Sequence, residues 1–424
     1  MVLLCELHPL KYIYHLWHHM EKIICNRVEK IFRVDHLADV FTSDVDVSYE
    51  FGFPLNTNID TCLFINPLSE IPEELLQNSL PIMLPHMWTK NNVWKETHTD
   101  KFQPISISAL HNAHIFGGRI GYRDSIYHDS GQLLLTEDFS ILNASLGVLD
   151  GSDTLPRDLI EYVDDKYYLS FNNVGKSKIL SGDYYFIGSI HHHFGHFLVE
   201  GLSRLWAIKY IPEDIRENLQ YIIYEESIKD YALKVLSKMG ITADNIVFAP
   251  KHAILERVFV PDVSYKTHHW ASHHQSDVYN LLMTSVKADE NSGKYIYLSR
   301  KNTPDRPLAN ELELERKLQD LGFDIVSPEQ LDIESQLSIM KSAKVVVGPV
   351  GSQMYLSSFL TPKTHVVVCA PSNFYLPDDL LLSSIKGTNL SVLIGSAIDL
   401  SKPKRNRGWE VNTNQLCTYV ASLI

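Results

Sequence analysis

Arg300, Lys301 and Arg306 follow one short apolar run, Lys294–Leu298, and Gly348, Gly351, Ser352 and Gln353 follow another, Lys344–Val347. An arginine fork grips a phosphate through paired hydrogen bonds, which the point charge of lysine does not reproduce. Glycines let backbone approach a ligand closely, and a helix opening just after them offers unpaired N–H groups to an anion. Taken singly, either feature has a plain explanation. A lone arginine is usually solvated surface charge, and Gly348-Pro349-Val350-Gly351-Ser352 is neither a Walker loop nor G-x-G-x-x-G. Their common position at the ends of strand-like runs suits an anionic ligand of the nucleotide-diphosphate kind.

A second constellation is His191-His192-His193-Phe194-Gly195-His196, with Glu200 four residues beyond His196. On a helix these two share a face, and an imidazole steadied by a carboxylate is a good general base near neutral pH. The competing account is a helix start whose histidine bonds only to backbone. Arg204, four residues further on, could pair with Glu200 and make the stripe structural. A second histidine cluster, His268, His269, His273 and His274, raises the question of a metal. No H-E-x-x-H is present and no cysteine accompanies the histidines, so no catalytic metal is expected. The absence of G-x-S-x-G removes the nucleophile-elbow hydrolases.

The elements that must position these residues alternate in type. Lys294–Leu298, Phe323–Val326, Lys344–Val347 and His365–Cys369 read as strands separated by helix-period segments, the pattern of βα units in a parallel sheet. Asn310 followed by Glu313 reads as a capping box, with Leu314, Leu318 and Leu321 as stripe and Gly322 as stop. Asp332 caps the next helix. Upstream, Tyr184–Ile187, Leu219–Tyr224, Asn245–Phe248 and Arg257–Val260 read as strands, His191–Tyr210 as a long helix, and Ile228–Met239 as a helix stopped by Gly240. The pattern predicts an irregular extension over 1–100, an α/β domain over 101–288, a second α/β domain over 289–400, and a C-terminal helical segment over 401–424 returning to the first domain. The polar run Lys-Ala-Asp-Glu-Asn-Ser-Gly-Lys, 287–294, has the composition of a linker.

Composition bounds the partners. A chain of 424 residues exceeds one ordinary core. Acidic residues number 51 against 38 basic, a formal charge of −13, and that field opposes nucleic acid. An anionic substrate must therefore be held by a local positive site. Five scattered cysteines without a C-x-x-C pair fit a reducing compartment, which predicts a cytoplasmic setting. No run of ~18 apolar residues exists to cross a membrane. The aromatic, basic start fits an interfacial helix making peripheral membrane contact, or equally an amphipathic helix packed on the protein.

With these residues in hand, the chain resembles glycosyltransferase family 61, especially bacterial members acting in capsular and surface polysaccharide synthesis. The resemblance runs over residues 180–375 and is carried by Phe194-Gly195-His196-Phe197-Leu198-x-Glu200, Leu202-x-Arg204-Leu205, Leu298-Ser299-Arg300-Lys301, Arg306-x-x-x-Asn310-Glu311, Gly322-Phe323, Gln336 and Gly348-Pro349-x-Gly351-Ser352. Val350 stands where many members have His or Thr, and Ser335 where an acidic residue is usual. The resemblance implies an α/β, GT-B-like architecture: two Rossmann-like domains facing across a cleft, beside the irregular N-terminal extension. It implies inverting, metal-independent transfer without a cofactor, from a nucleotide sugar, a UDP-sugar by expectation, to a glycan or lipid-linked glycan. In that picture His196 and Glu200 supply the base. Arg300, Arg306, Gly348, Gly351, Ser352 and Gln353 hold the diphosphate, and Lys301, Asn310 and Glu311 support them. Two other readings stay open: a metal-dependent hydrolase built on the histidine clusters, and a sugar-nucleotide-binding protein without catalysis.

Overall fold

The computed structural model describes short stretches between 105 and 169 and nearly all of 177–424, omitting 268–269, 290–292, 373, 376–377, 399–400 and 403–405; Cys25–Asn26 and Cys62–Phe64 are also described. The expected N-terminal extension and its interfacial helix otherwise lie outside the described residues. Among those residues no helix is long and apolar enough to cross a membrane. The chain forms two compact units that change over between Thr267 and His268.

The first unit is built on a six-stranded sheet. Its strands are β1 (Ile107–Phe116), β2 (Leu133–Leu135), β3 (Lys178–Gly188), β4 (Gln220–Ile223), β5 (Ile246–Phe248) and β6 (Ala253–Pro261), in the spatial order β5-β4-β3-β6-β1-β2. β3, β4, β5 and β6 are parallel, whereas β1 and β2 join antiparallel at one side. Tyr185, Phe186, Ile222, Ile223 and Val258–Val260 are all buried. That continuous burial is why these strands read as unbroken apolar runs and not as alternating ones. Between β4 and β5, helix α1 (Asp230–Ser237) turns Ala232, Val235 and Leu236 inward and ends before Gly240, whose φ of +77° closes the C-terminal turn.

The long helix expected over His191–Tyr210 is broken. One α-turn, Phe194–His196, runs into a π-helical turn, Phe197–Gly201, and a 3-10 helix follows at Leu205–Tyr210. Leu202 N donates to Phe197 O at 3.1 Å, the widened spacing, and the Ser203 hydroxyl donates to Glu200 O at 2.6 Å. A hydroxyl bonding back to the preceding turn diverts helix geometry, and π-turns concentrate at such interruptions. At Gly201 a Cβ would come within 2.7 Å of Ile190 O, so the widened turn lies directly against the loop that follows β3.

The second unit carries a parallel sheet of β7 (Tyr295–Leu298), β8 (Asp324–Val326), β9 (Val345–Pro349), β10 (His365–Pro371) and β11 (Asn389–Ala397), in the order β8-β7-β9-β10-β11. Cys62–Phe64 adds a parallel strand beside β11, and Trp409–Glu410 an antiparallel one. Val345–Val347 and Val366–Val368 are buried throughout, as both-face burial of a parallel sheet requires. Cys369 is a buried free thiol in β10.

Helices complete this unit. α2 (His273–Met283) belongs to it: Tyr279 meets Phe359 edge-on at 5.5 Å, and Asn280 Oδ1 accepts from Lys386 Nζ at 2.6 Å. The changeover between units therefore precedes the polar 287–294 run. α3 (Glu311–Asp320) buries Leu314 and Leu318 and stops ahead of Gly322 at φ +86°. Its expected capping box does not form. Asn310 instead donates to Val411 O at 2.7 Å and accepts from Val411 N, while Glu313 holds Lys317 and Thr413. The C-terminal segment outcompetes the local cap, since it offers backbone groups of its own to satisfy. Asp332 does cap α4 (Ile333–Ser342), accepting from Ser335 N at 2.8 Å. α5 (Asp378–Lys386) follows β10. The C-terminal helix α6 (Thr413–Ala421) packs Leu416 and Val420 into the core that holds Leu314 and Leu318, within this same unit.

Candidate functional site

Strand order in both units reverses once. In the first, β4 and β5 lie on one side of β3 and β6 on the other; in the second, β8 lies on one side of β7 and β9 on the other. Loops leaving the C-terminal ends of strands at such a reversal diverge and leave a crevice for ligand. Each unit places its candidate residues there.

In the second unit β7 delivers Ser299-Arg300-Lys301 and β9 delivers Pro349-Val350-Gly351-Ser352. Arg300 Nη1 donates to Gln353 Oε1 at 3.0 Å, and Nη2 to Asp305 O at 3.1 Å. Gly351 touches the same guanidinium: a Cβ there would overlap Nη1 of Arg300. Gln353 is pinned in turn by donating Nε2 to Pro349 O. Burial lowers the Arg300 pKa, and Glu311 and Asp305 oppose that shift. The 3-10 helix Ser352–Phe359 opens directly after Gly351. The structure thus joins Arg300, Gly351, Ser352 and Gln353 in one place.

Two carboxylates of α3 hold this loop from beneath. Glu311 Oε1 accepts from Arg300 N at 2.7 Å and Tyr297 Oη at 3.1 Å. Glu315 accepts from Ser299 Oγ at 2.6 Å and Lys301 Nζ at 3.3 Å. Burial pushes the Glu311 pKa up, against the bonds from Arg300 N and Tyr297. The remaining sequence candidates in this unit make other contacts. Gly348 is a packing glycine, since a Cβ there would lie 2.6 Å from Met354 Sδ and 3.0 Å from Leu298 O. Arg306 sits at φ +51° with its guanidinium 4.1 Å above the Phe374 ring, and its carbonyl accepts from Trp409 Nε1. Asn310 serves the C-terminal segment, and Lys301 the Glu315 carboxylate.

In the first unit the loop after β3 leads to His196, whose Nδ1 bonds Glu200 Oε2. Glu200 is 6% exposed and His196 24%. Burial alone would raise the Glu200 pKa. The His196 bond and the nearby charges of His191 and His196 outweigh it, so the group titrates below the ordinary carboxylate range. An ionised carboxylate holding Nδ1–H leaves Nε2 as the basic nitrogen. His191 Nε2 stands 4.0 Å from the same carboxylate oxygen, and the His193 ring meets His196 edge-on at 5.0 Å. Arg204 does not join this group. It is buried over Phe186 at 5.2 Å and donates to Ala144 O and Ile187 O, with its pKa lowered by burial to about 10.

His274 is buried and lies 3.7 Å from Asp277, His273 is exposed, and His268 and His269 lie outside the described residues. Among the described residues no group of three His, Cys, Asp or Glu side chains is placed to hold a metal ion. Sequence reasoning missed Glu225 and Glu315, which act through loop backbone and hydroxyls, and Phe374. For Glu225 a signal existed: a carboxylate directly past a strand end, at the same edge as the histidines.

Fold and site define a mixed α/β protein that gathers its chemistry on strand-end loops of two sheets. Residues 194–367, which include His196, Glu200, Arg300 and Gly348–Gln353, match the family described as Glycosyltransferase 61, and that match supports assigning this segment to it. The match supports a sugar-transfer function in general, with a sugar donor and an acceptor. No curated protein matches the chain.

Proposed function

We propose that the protein is an inverting, metal-independent glycosyltransferase of the GT-B kind. It moves a sugar from a nucleotide-diphosphate donor, a UDP-sugar by preference, to a glycan or glycolipid acceptor in surface polysaccharide synthesis. The second unit holds the donor and the first supplies the base. One observation carries the reading: within the family segment, Arg300 and Gly351 come together where strand order reverses. That is where a pyrophosphate is best received.

The reaction is a single in-line displacement. The acceptor hydroxyl oxygen bonds to the anomeric carbon as the bond from that carbon to the diphosphate oxygen breaks, and its electron pair leaves with the diphosphate. His196 Nε2 takes the hydroxyl proton, with Nδ1 held by Glu200. Arg300 and the N–H-bearing start of the Ser352–Phe359 helix offset the charge on the leaving group, the task a cation would otherwise perform. Arg306 above Phe374 is a weaker candidate for the same task.

The test pairs binding with turnover. Nucleoside diphosphates and their sugars are screened by thermal shift, and the hits are assayed for transfer. A ligand at about 100 times its Kd stabilises the fold by about 2.7 kcal/mol. Binding that vanishes in Arg300→Ala while the unliganded melting temperature stays put is the expected result. Equal binding by wild type and variant refutes the donor site.

A further inference from the structure

Glu225 lies just past β4, 4% exposed, and none of the chemistry above uses it. Its Oε1 accepts from Ser189 Oγ at 2.6 Å, Ile190 N at 2.9 Å and His191 N at 3.0 Å. Those donors are successive residues of the loop that leaves β3. A carboxylate that collects consecutive loop N–H groups clamps a backbone shape, and charge-assisted bonds of this kind are the strong ones.

The shape so clamped is unusual. His191 has φ +52°, the left-handed region that side chains other than glycine adopt at a cost. Gly188 at φ +80° starts the turn, Gly201 lets Ile190 O approach the π-helical segment, and Tyr231 Oη donates to His192 O at 3.0 Å. Held in this way, the His191 ring stands with Nε2 4.0 Å from Glu200 Oε2 and its centroid 5.6 Å from that of His196. Both imidazoles therefore approach the same Glu200 oxygen. His196 bonds it through Nδ1, and the clamped turn brings the His191 ring beside it. Such strain persists where surrounding bonds over-determine it, and the bonds that do so here converge on Glu225.

We propose that Glu225 is a positioning residue for sugar transfer: its carboxylate fixes the 189–191 turn, and that turn sets His191 against the Glu200–His196 pair. The inference rests on the transferase reading. Glu225 touches no reacting atom in it; the residue acts through His191, which completes the surroundings of the carboxylate that orients the base.

The test uses the full-length protein as Glu225→Ala, Glu225→Gln and His191→Gly. Glu225→Ala is expected to lower kcat on the order of a hundredfold, as a misplaced catalytic group does, with the donor KM unchanged. Glu225→Gln keeps an acceptor oxygen for the loop and is expected to recover most of that loss. In protein carrying 13C-labelled histidine, Glu225→Ala should displace the ring resonances of both His191 and His196, whereas Glu225→Gln leaves them in place. Should Glu225→Ala fail to fold, His191→Gly decides: it tolerates φ +52° and removes only the ring, so turnover must fall at constant KM. Wild-type kcat in folded Glu225→Ala or in His191→Gly, or unmoved His196 resonances, overturns the proposal. If the wild-type chain transfers no sugar from any nucleotide donor, the transferase reading fails by itself. The ring resonances then still report whether Glu225 places His196.

Discussion

Arg300 occupies, with its Nη1, the space that a side chain on Gly351 would fill. The guanidinium and the glycine come from the ends of β7 and β9, which are neighbours in the sheet through pairs such as Tyr297 and Val347. Their contact follows from parallel register: equal advance along adjacent strands brings both loops out at one edge.

Gly351→Ala should therefore expel the Arg300 side chain and weaken nucleoside diphosphate binding, and its φ of +158° adds a loss of stability. Gly348→Ala should lower stability and leave diphosphate binding in place. Its Cβ meets Met354 Sδ and Leu298 O inside the unit, and overpacking of that kind costs about 1–3 kcal/mol of stability. Melting temperature and diphosphate-induced shift, measured on both variants, separate the two effects.

Arg300→Lys retains the charge but loses the fork that reaches Gln353 Oε1 and Asp305 O together. Removal of one contact to a developing anion costs about 3 kcal/mol, on the order of a hundredfold in rate. Transfer by Arg300→Lys should fall by that order, and by less in Arg306→Ala, because Arg306 rests on Phe374. Initial rates at saturating donor check both.

His196→Ala should reduce turnover by roughly 10²–10⁴, the usual contribution of a general base, with donor affinity intact. Glu200→Gln keeps an acceptor for Nδ1 but not the charge, so its loss should be smaller. Lost donor affinity with normal turnover in His196→Ala would move this histidine to the donor side.

A pH effect is expected beside Ser177, just before β3. His114 Nδ1 and His252 Nε2 stand 3.1 Å apart, His252 Nδ1 meets Ser177 Oγ at 2.7 Å, and Phe116 stacks on His252 at 4.4 Å. Burial, then the neighbouring His114, pushes the His252 pKa down to about 4. The unfolded chain titrates this group near its ordinary value of about 6.5 and so binds the proton first. Stability from this group is fully present above about pH 6.5, is lost as pH falls towards about 4, and changes no further below that. His252→Leu should flatten that part of the melting-temperature profile.

Much of this was legible along the chain because the signals are local. The apolar runs ending at Leu298, Val347 and Cys369, the stops at Gly240 and Gly322, the Asp332 cap and the spacing of His196 and Glu200 each need only a few neighbouring residues to be read. The broken helix over Phe194–Tyr210 was not legible: its apolar periodicity is sound, but Ser203 and the close approach at Gly201 redirect the backbone. The capping box at Asn310 failed for a similar reason, because Val411, far along the chain, competes for the same side chain.

By itself the sequence determined the residue types, the βα alternation and the strand ends at which Arg300, Gly351 and His196 would emerge. Only the tertiary structure decided which of them meet. Strand order put the Arg300 and Gly351 loops side by side, sent Arg306 to Phe374, turned Arg204 away from Glu200, and brought Glu225 beneath His191. Periodicity reports which way a side chain faces within its own element, whereas these contacts depend on which strand lies next to which, and that is settled by packing between elements distant in the chain.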